Sequence, residues 1–243
     1  PIKGLVPRKV TRVITPGTLL EPGLLPGDAN NYLVCAVVHE TRAGVAYVDI
    51  STGEFATTEI HGSDIDTALR AELMRLHPAE ILHAEETSID EGSPGFSTAW
   101  PGWRFESERC RRVLQDHFGT ASLDGYGLQG LPLAISAAGG IVQYLEATQA
   151  SALNLLTSLS TYQLNEFMTL DAATRRNLEL TETIKGNSKT GALLGVLDLT
   201  VTPMGGRMIF QWLNKPLLDV EQVQQRQAGV AYFVENGLNR ADL

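Results

Sequence analysis

The chain has 243 residues, room for one large or two modest domains. Hydrophobic residues make up 43% of it, enough to bury a core, which excludes wholesale disorder. The net charge of −9 argues against strong nonspecific nucleic-acid binding by this chain alone, because neutralising phosphates needs clustered Lys and Arg.

Residues 1–9 mix Lys3, Arg8 and Lys9 with Gly4 and Pro7 and read as linker. Val10 to Thr15 is β-rich and ends at the turn pair Pro16-Gly17. Three Pro-Gly pairs in 16–27 predict a loop. Asn31 to Val38 is the continuous apolar run expected of a central strand covered on both faces. Gly44 to Ile50 and Glu54 to Ile60 flank Ser51-Thr52-Gly53 and predict a hairpin. Ser63 is a helix N-cap candidate, with Ile65, Leu69, Leu73 and Leu76 at helical spacing and Pro78 as the stop. Glu80 to Ala84 predicts a further strand, and residues 86–102 a loop. A helix from Glu106 to His117, with Gly119 as its C-cap, leads to a long helix over 133–149. The small residues Ala137-Ala138-Gly139-Gly140 there admit a close neighbour. Beyond Leu159 the β-rich runs give way to helical periodicity at 171–182, 190–199, 203–214 and 220–236. The expected class is therefore α/β, a mixed sheet with flanking helices, followed by an all-α segment.

Two cysteines, Cys35 and Cys110, make no disulfide framework, and five scattered histidines offer no zinc spacing. That usage fits a reducing cytoplasm. No apolar run approaches the roughly 20 residues of a membrane helix. Asp49, Glu54, Asp64 and Glu80 raise an Mg²⁺-dependent nuclease reading centred on Asp49, set against a plain acid at a hairpin turn. The turn is favoured, because no equally placed second and third carboxylate is evident. Glu106, Glu108, Arg109, Arg111 and Arg112 form a charged helix face, either solvated or a docking surface for a partner protein. Thr202-Pro203 opens a helix in which Gly205 and Gly206 suit packing; a phosphate-cradling Gly-Lys pair occurs nowhere. Asp171 is a capping residue, with Arg175 and Glu179 as an i,i+4 pair.

Several segments together resemble the MutS family of DNA mismatch-repair proteins. These are 10–18, Asn30 to Leu33, Tyr47 to Phe55, Ala138 to Gln149, Leu170 to Glu179 and Leu197 to Arg207. The resemblance implies a connector domain with a ribonuclease-H-like α/β fold but no nuclease chemistry over 10–160, after a linker at 1–9. It implies the N-terminal part of a helical core, or lever, domain over 161–243. The implied role is to couple mismatch recognition to the ATPase and to contribute to docking MutL, for which Glu108, Arg109, Arg111 and Arg112 are the candidates. The family reads mismatched DNA with Phe-x-Glu on another domain, binds ATP and Mg²⁺ on a further one, and acts as a homodimer. Phe233-Val234-Glu235 sits at helical spacing with Val230 and does not replace that motif. No catalytic, cofactor-binding or metal residue is carried over. Pro1 in the place of Met, and an end just past a helix, make a piece of a longer cytoplasmic protein the expectation.

Overall fold

A computed structural model describes residues 13–19, 30–87, 89, 92–168, 170, 172–186 and 188–241. It divides into two compact units, 1–162 and 163–243.

Among the described residues the first unit is built on six strands: β1 (Tyr32–His39), β2 (Arg42–Asp49), β3 (Glu54–His61), β4 (Glu80–Ala84), β5 (Phe96–Trp100) and β6 (Ser160–Thr161). Their order is β5-β4-β1-β2-β3-β6. Only β2 runs against the rest: it pairs antiparallel with β1 and β3, while β4 pairs parallel with β1, β5 with β4 and β6 with β3. This is the ribonuclease-H-like arrangement. Both hairpins follow from apolar β-rich runs broken by short polar turns.

Helix α1 (Ile65–Leu76) covers one face and α3 (Pro132–Gln149) the other, with α2 (Ser107–Phe118) packed on α3. Register decides which residues meet which helix. Leu33, Cys35, Ala46, Val48, Phe55 and Leu82 share a core with Ala134, Ile135, Ala138, Ile141 and Leu145 of α3. The alternate residues Tyr32, Val34 and Tyr47 point to the opposite face. Two glycines allow the close approaches. A Cβ on Gly44 of β2 would lie 2.0 Å from the Leu133 carbonyl oxygen, and one on Gly139 would lie 2.4 Å from the Cys110 Cβ. The predicted small-residue patch is thus where α2 crosses α3. Burial pushes the Cys35 thiol far above its usual range and Cys110 to about 12, so both are inert packing groups.

Three expectations are corrected in this unit, and a fourth holds with a shift of one residue. Phe96–Trp100 is a strand, not loop; its side chains are mostly exposed, so the burial alternation that marks a strand is weak. Of the segment 10–15, residues 10–12 lie outside the described part, and 13–15 form no strand. The α1 cap is Asp64, whose side chain accepts from the Thr67 N–H at 3.2 Å, one residue beyond Ser63. The helix predicted from Glu106 starts at Ser107 and closes on Gly119, which has the left-handed φ of 63° a C-cap needs.

The second unit holds α4 (Ala172–Asn177), α5 (Leu193–Leu197), α6 (Pro203–Asn214), α7 (Val220–Glu235) and α8 (Gly237–Ala241). The first two are shorter than the periodicity predicts. Glu179 adopts φ 47° and its carboxylate takes the Ile184 N–H at 2.7 Å, ending α4 in a turn. Leu193 and Leu194 donate to the carbonyls of Glu179 and Leu180, which brings the start of α5 back to the end of α4. The Arg175–Glu179 pair does not form: Arg175 donates to the Asn214 side chain at 2.9 Å and carbonyl at 3.0 Å. The Asp171 cap lies outside the described residues. Helix α6 begins as expected, with Pro203 in its first turn and Thr202 accepting from the Gly205 N–H.

Candidate functional site

The four carboxylates weighed for metal chemistry are all occupied structurally. Asp49 ends β2 with no solvent exposure. One oxygen accepts from Asn30 Nδ2 (2.9 Å) and the Asn31 N–H (3.3 Å). The other accepts from the Ser51 N–H (2.9 Å) and Ser51 Oγ (2.6 Å). It therefore ties the hairpin turn to the start of β1. Glu54 accepts from the hydroxyls of Tyr32 and Tyr47, each at 3.0 Å. Asp64 is the exposed α1 cap.

Glu80 opens β4 and is also fully buried. Its Oε2 accepts from Thr15 Oγ1 (2.5 Å) and the Gly17 N–H (2.9 Å). Its Oε1 accepts from Thr98 Oγ1 and Tyr144 OH, both at 2.7 Å. Four donors thus replace the water a buried carboxylate loses. Burial, reinforced by the bond to Glu80, pushes the Tyr144 phenol to about 12.

Asp49 and Glu80 cannot share a metal ion. Asp49 pairs with Tyr32 and Glu80 with Leu33, which are successive residues of β1. Successive residues point to opposite faces, so the two carboxylates lie on opposite sides of the sheet. Among the described residues no group of three or more His, Cys, Asp or Glu could hold a metal.

A third buried acid sits on the α1 face. Glu72 receives Arg75 through Nε (2.7 Å) and Nη2, and Tyr162 OH at 2.5 Å. Arg75 also lies over the Tyr162 ring, 5.6 Å from its centroid. Burial first, then the Glu72 charge, raises the Tyr162 phenol well above its usual range. Glu80 thus fixes residues 15–17 and Glu72 fixes Tyr162, the two ends of the unit's described chain.

The candidate docking residues lie on α2. Glu108 and Arg112 are exposed and Arg111 is half-buried, with Arg111 Nε 3.8 Å from Glu108 Oε1. Arg109 is committed elsewhere: its Nε donates to Gln143 Oε1 at 2.6 Å and its guanidinium stacks on Trp103. The structure thus leaves Glu108, Arg111 and Arg112 together and draws Arg109 toward α3. Sequence reasoning missed the partners of Glu80 and the packing of Trp100 and Trp103. The available signals were an acid opening an apolar strand and two tryptophans beside Arg104.

Gly205 lies close against the loop before α6 rather than against another helix, and Gly206 is buried. A Cβ on Gly205 would lie 2.9 Å from Thr200 Cβ, and both N–H groups are taken by the Thr202 cap. They do not fit a nucleotide phosphate. Among the described residues no helix is long and apolar enough to cross a membrane.

These features define a two-unit chain, a ribonuclease-H-like α/β unit followed by a helical one. Residues 31–157 match MutS domain II and residues 173–243 match MutS domain III. The chain is 44% identical over 248 residues to the DNA mismatch repair protein MutS of Symbiobacterium thermophilum, covering 99% of this chain and 28% of that protein. It is 44% identical over 243 residues to that of Dehalococcoides mccartyi, with 99% and 28% covered, and 42% identical over 257 residues to that of Thermosynechococcus vestitus, with 99% and 29% covered. The chain belongs to the MutS family of DNA mismatch-repair proteins. It spans a little over a quarter of the length of these relatives.

Proposed function

We propose that this chain is the non-catalytic connector, over 10–160, and the first part of the helical core, over 161–243, of a mismatch-repair protein. In this reading it couples mismatch recognition to an ATPase carried elsewhere in the full-length protein. That protein acts as a homodimer in the cytoplasm, reads mismatched DNA and uses ATP and Mg²⁺ through its other domains. The observation that carries the reading is the use of Asp49, Glu72 and Glu80. Each is a buried acid whose oxygens are consumed in fixing turns and chain ends, so the unit is built to hold shape rather than to react. A body with fixed ends can pass a displacement from one end to the other.

The α2 face of Glu108, Arg111 and Arg112, with Arg109 beside it, is the proposed contribution to MutL docking. A pull-down with purified MutL tests it. The double reversal Arg111→Glu, Arg112→Glu is expected to weaken capture about tenfold while the circular dichroism spectrum stays unchanged. Undiminished capture by that variant would sink the assignment.

A further inference from the structure

Before the start of α2, and sharing only Arg109 with its proposed docking face, lies a surface feature centred on Arg104. Arg104 Cζ sits 4.4 Å from the Trp100 ring centroid and 4.5 Å from that of Trp103. Arg109 Cζ sits 4.6 Å from the Trp103 centroid. Indole and guanidinium therefore alternate through four side chains. The stack is anchored at both ends. Trp100 meets Tyr144 edge-on at 5.4 Å and Phe105 at 6.3 Å. Arg109 is held by Gln143, which is itself buried and donates to the Arg104 carbonyl at 2.7 Å. The rotamers are thus fixed before any partner arrives, which removes part of the entropy cost of binding.

Among the described residues no carboxylate forms an ion pair with Arg104 or Arg109, in a chain with 28 acidic and 19 basic residues. Arg104 Nε is shielded and has no hydrogen-bond partner. Stacking covers guanidinium faces and leaves the terminal N–H edge for a carboxylate. Trp103, in the middle of the stack, is 48% exposed. Trp and Arg are the residues that most often carry interface energy.

We propose that the Trp100–Arg104–Trp103–Arg109 stack is a docking surface for an acidic segment of a partner protein, whose carboxylates pair with the two guanidiniums. Carboxylates are favoured over nucleic acid because the chain carries a net charge of −9, exposed Glu106 and Glu108 stand between Arg104 and Arg109 in sequence, and the Glu86 carboxylate lies against Gly102. A continuous phosphate backbone would meet those charges, whereas spaced acidic side chains fit between them. Arg109 is shared with the α2 face, but the proposal stands without that face, since Arg104 carries it and Arg111 and Arg112 do not.

The test is fluorescence anisotropy with a labelled short peptide alternating Glu and Ser, its Gln counterpart and a short DNA duplex as competitor. The Glu peptide is expected to bind the full chain, more weakly as salt rises, and the Gln peptide not to bind. Arg104→Ala and Arg104→Lys should each weaken binding about tenfold, the second because it keeps the charge and loses the fork. Arg240→Glu, in the other unit, should change it less than about twofold. Equal binding of the Gln peptide, unchanged binding by either Arg104 variant, an equal loss with Arg240→Glu, or a preference for the duplex each overturns the proposal. Since Arg104→Lys preserves the stem, its melting curve separates loss of contact from loss of fold.

Discussion

Replacing Glu80 should be among the costliest single changes in the α/β unit, and its size can be worked from four bonds. Glu80→Ala removes the acceptor for Thr15 Oγ1, the Gly17 N–H, Thr98 Oγ1 and Tyr144 OH. The two Thr hydroxyls are only partly buried and can turn to water or other acceptors. The Gly17 N–H and Tyr144 OH are buried and have no such choice. Two orphaned donors at about 1–3 kcal/mol each give an expected loss of about 2–6 kcal/mol. Glu80→Gln keeps the shape. Its oxygen can serve Gly17 and Thr15 while its amide donates to the Thr98 and Tyr144 oxygens, whose hydroxyl hydrogens rotate away. It loses charge assistance and leaves the buried Tyr144 hydroxyl hydrogen without its acceptor, but the Gly17 N–H keeps its own, so about 1–3 kcal/mol is expected, less than for Glu80→Ala. Urea unfolding followed by circular dichroism and indole fluorescence would measure both. Amide exchange at Gly17 should rise in Glu80→Ala ahead of exchange in β1. A Glu80→Ala loss below about 1 kcal/mol, or a larger loss in Glu80→Gln than in Glu80→Ala, would refute the view that this carboxylate pins the incoming chain.

Other consequences are as specific. Gly139→Ala puts a Cβ 2.4 Å from Cys110 Cβ and should cost about 1–3 kcal/mol by overpacking, whereas Gly62→Ala, with nothing within 4 Å, should stay within about 0.5 kcal/mol; thermal melts compare them. The bond from Lys189, with help from Thr200, holds the Asp198 carboxyl down to about 2. Because its folded value is depressed, its contribution to stability is present above roughly pH 4, the unfolded value, and is lost as pH falls through the folded one. Carbon-detected NMR titration should show Asp198 moving up in Lys189→Ala; an unchanged titration rules the bond out as the cause. Helices α7 and α8 leave Val220, Val230, Val234 and Leu238 more than half exposed. The isolated chain should therefore self-associate on concentration, and a clean monomer at high concentration by size-exclusion chromatography would count against that.

The strand meander, α1, α3 and the change to helices after the sheet were legible because each rests on local periodicity. Apolar runs bounded by polar turns leave few alternatives for 31–60. The small-residue patch at 137–140 announced a close crossing, and Gly139 against Cys110 is that crossing. What failed was non-local or carried by the backbone. β5 is an edge strand with exposed side chains, so it lacks the alternation that marked β1 to β3, and its pairing with β4 was invisible locally. The early end of α4 depends on Glu179 entering the left-handed region, which helical spacing does not encode. Arg175 and Glu179 had ideal spacing for an ion pair, yet Arg175 found Asn214, 39 residues on.

The same distinction explains the acids. Sequence placed Asp49 at a strand end, where a metal nuclease would need it, and Glu80 at the start of another strand, and there both stand. Register decides their use. Asp49 pairs with Tyr32 and Glu80 with Leu33, so a one-residue offset on β1 sends them to opposite faces. Each then recruits four donors from its own side. A metal-binding site and a structural clasp can both use acids at strand ends. They differ in whether the oxygens of those acids are left open or closed by neighbours. Here Asn30, Asn31 and Ser51 close one, and Thr15, Gly17, Thr98 and Tyr144 close the other. Opening either would take several correlated substitutions in segments far apart in sequence, so a single change at these positions should lower stability without creating metal affinity.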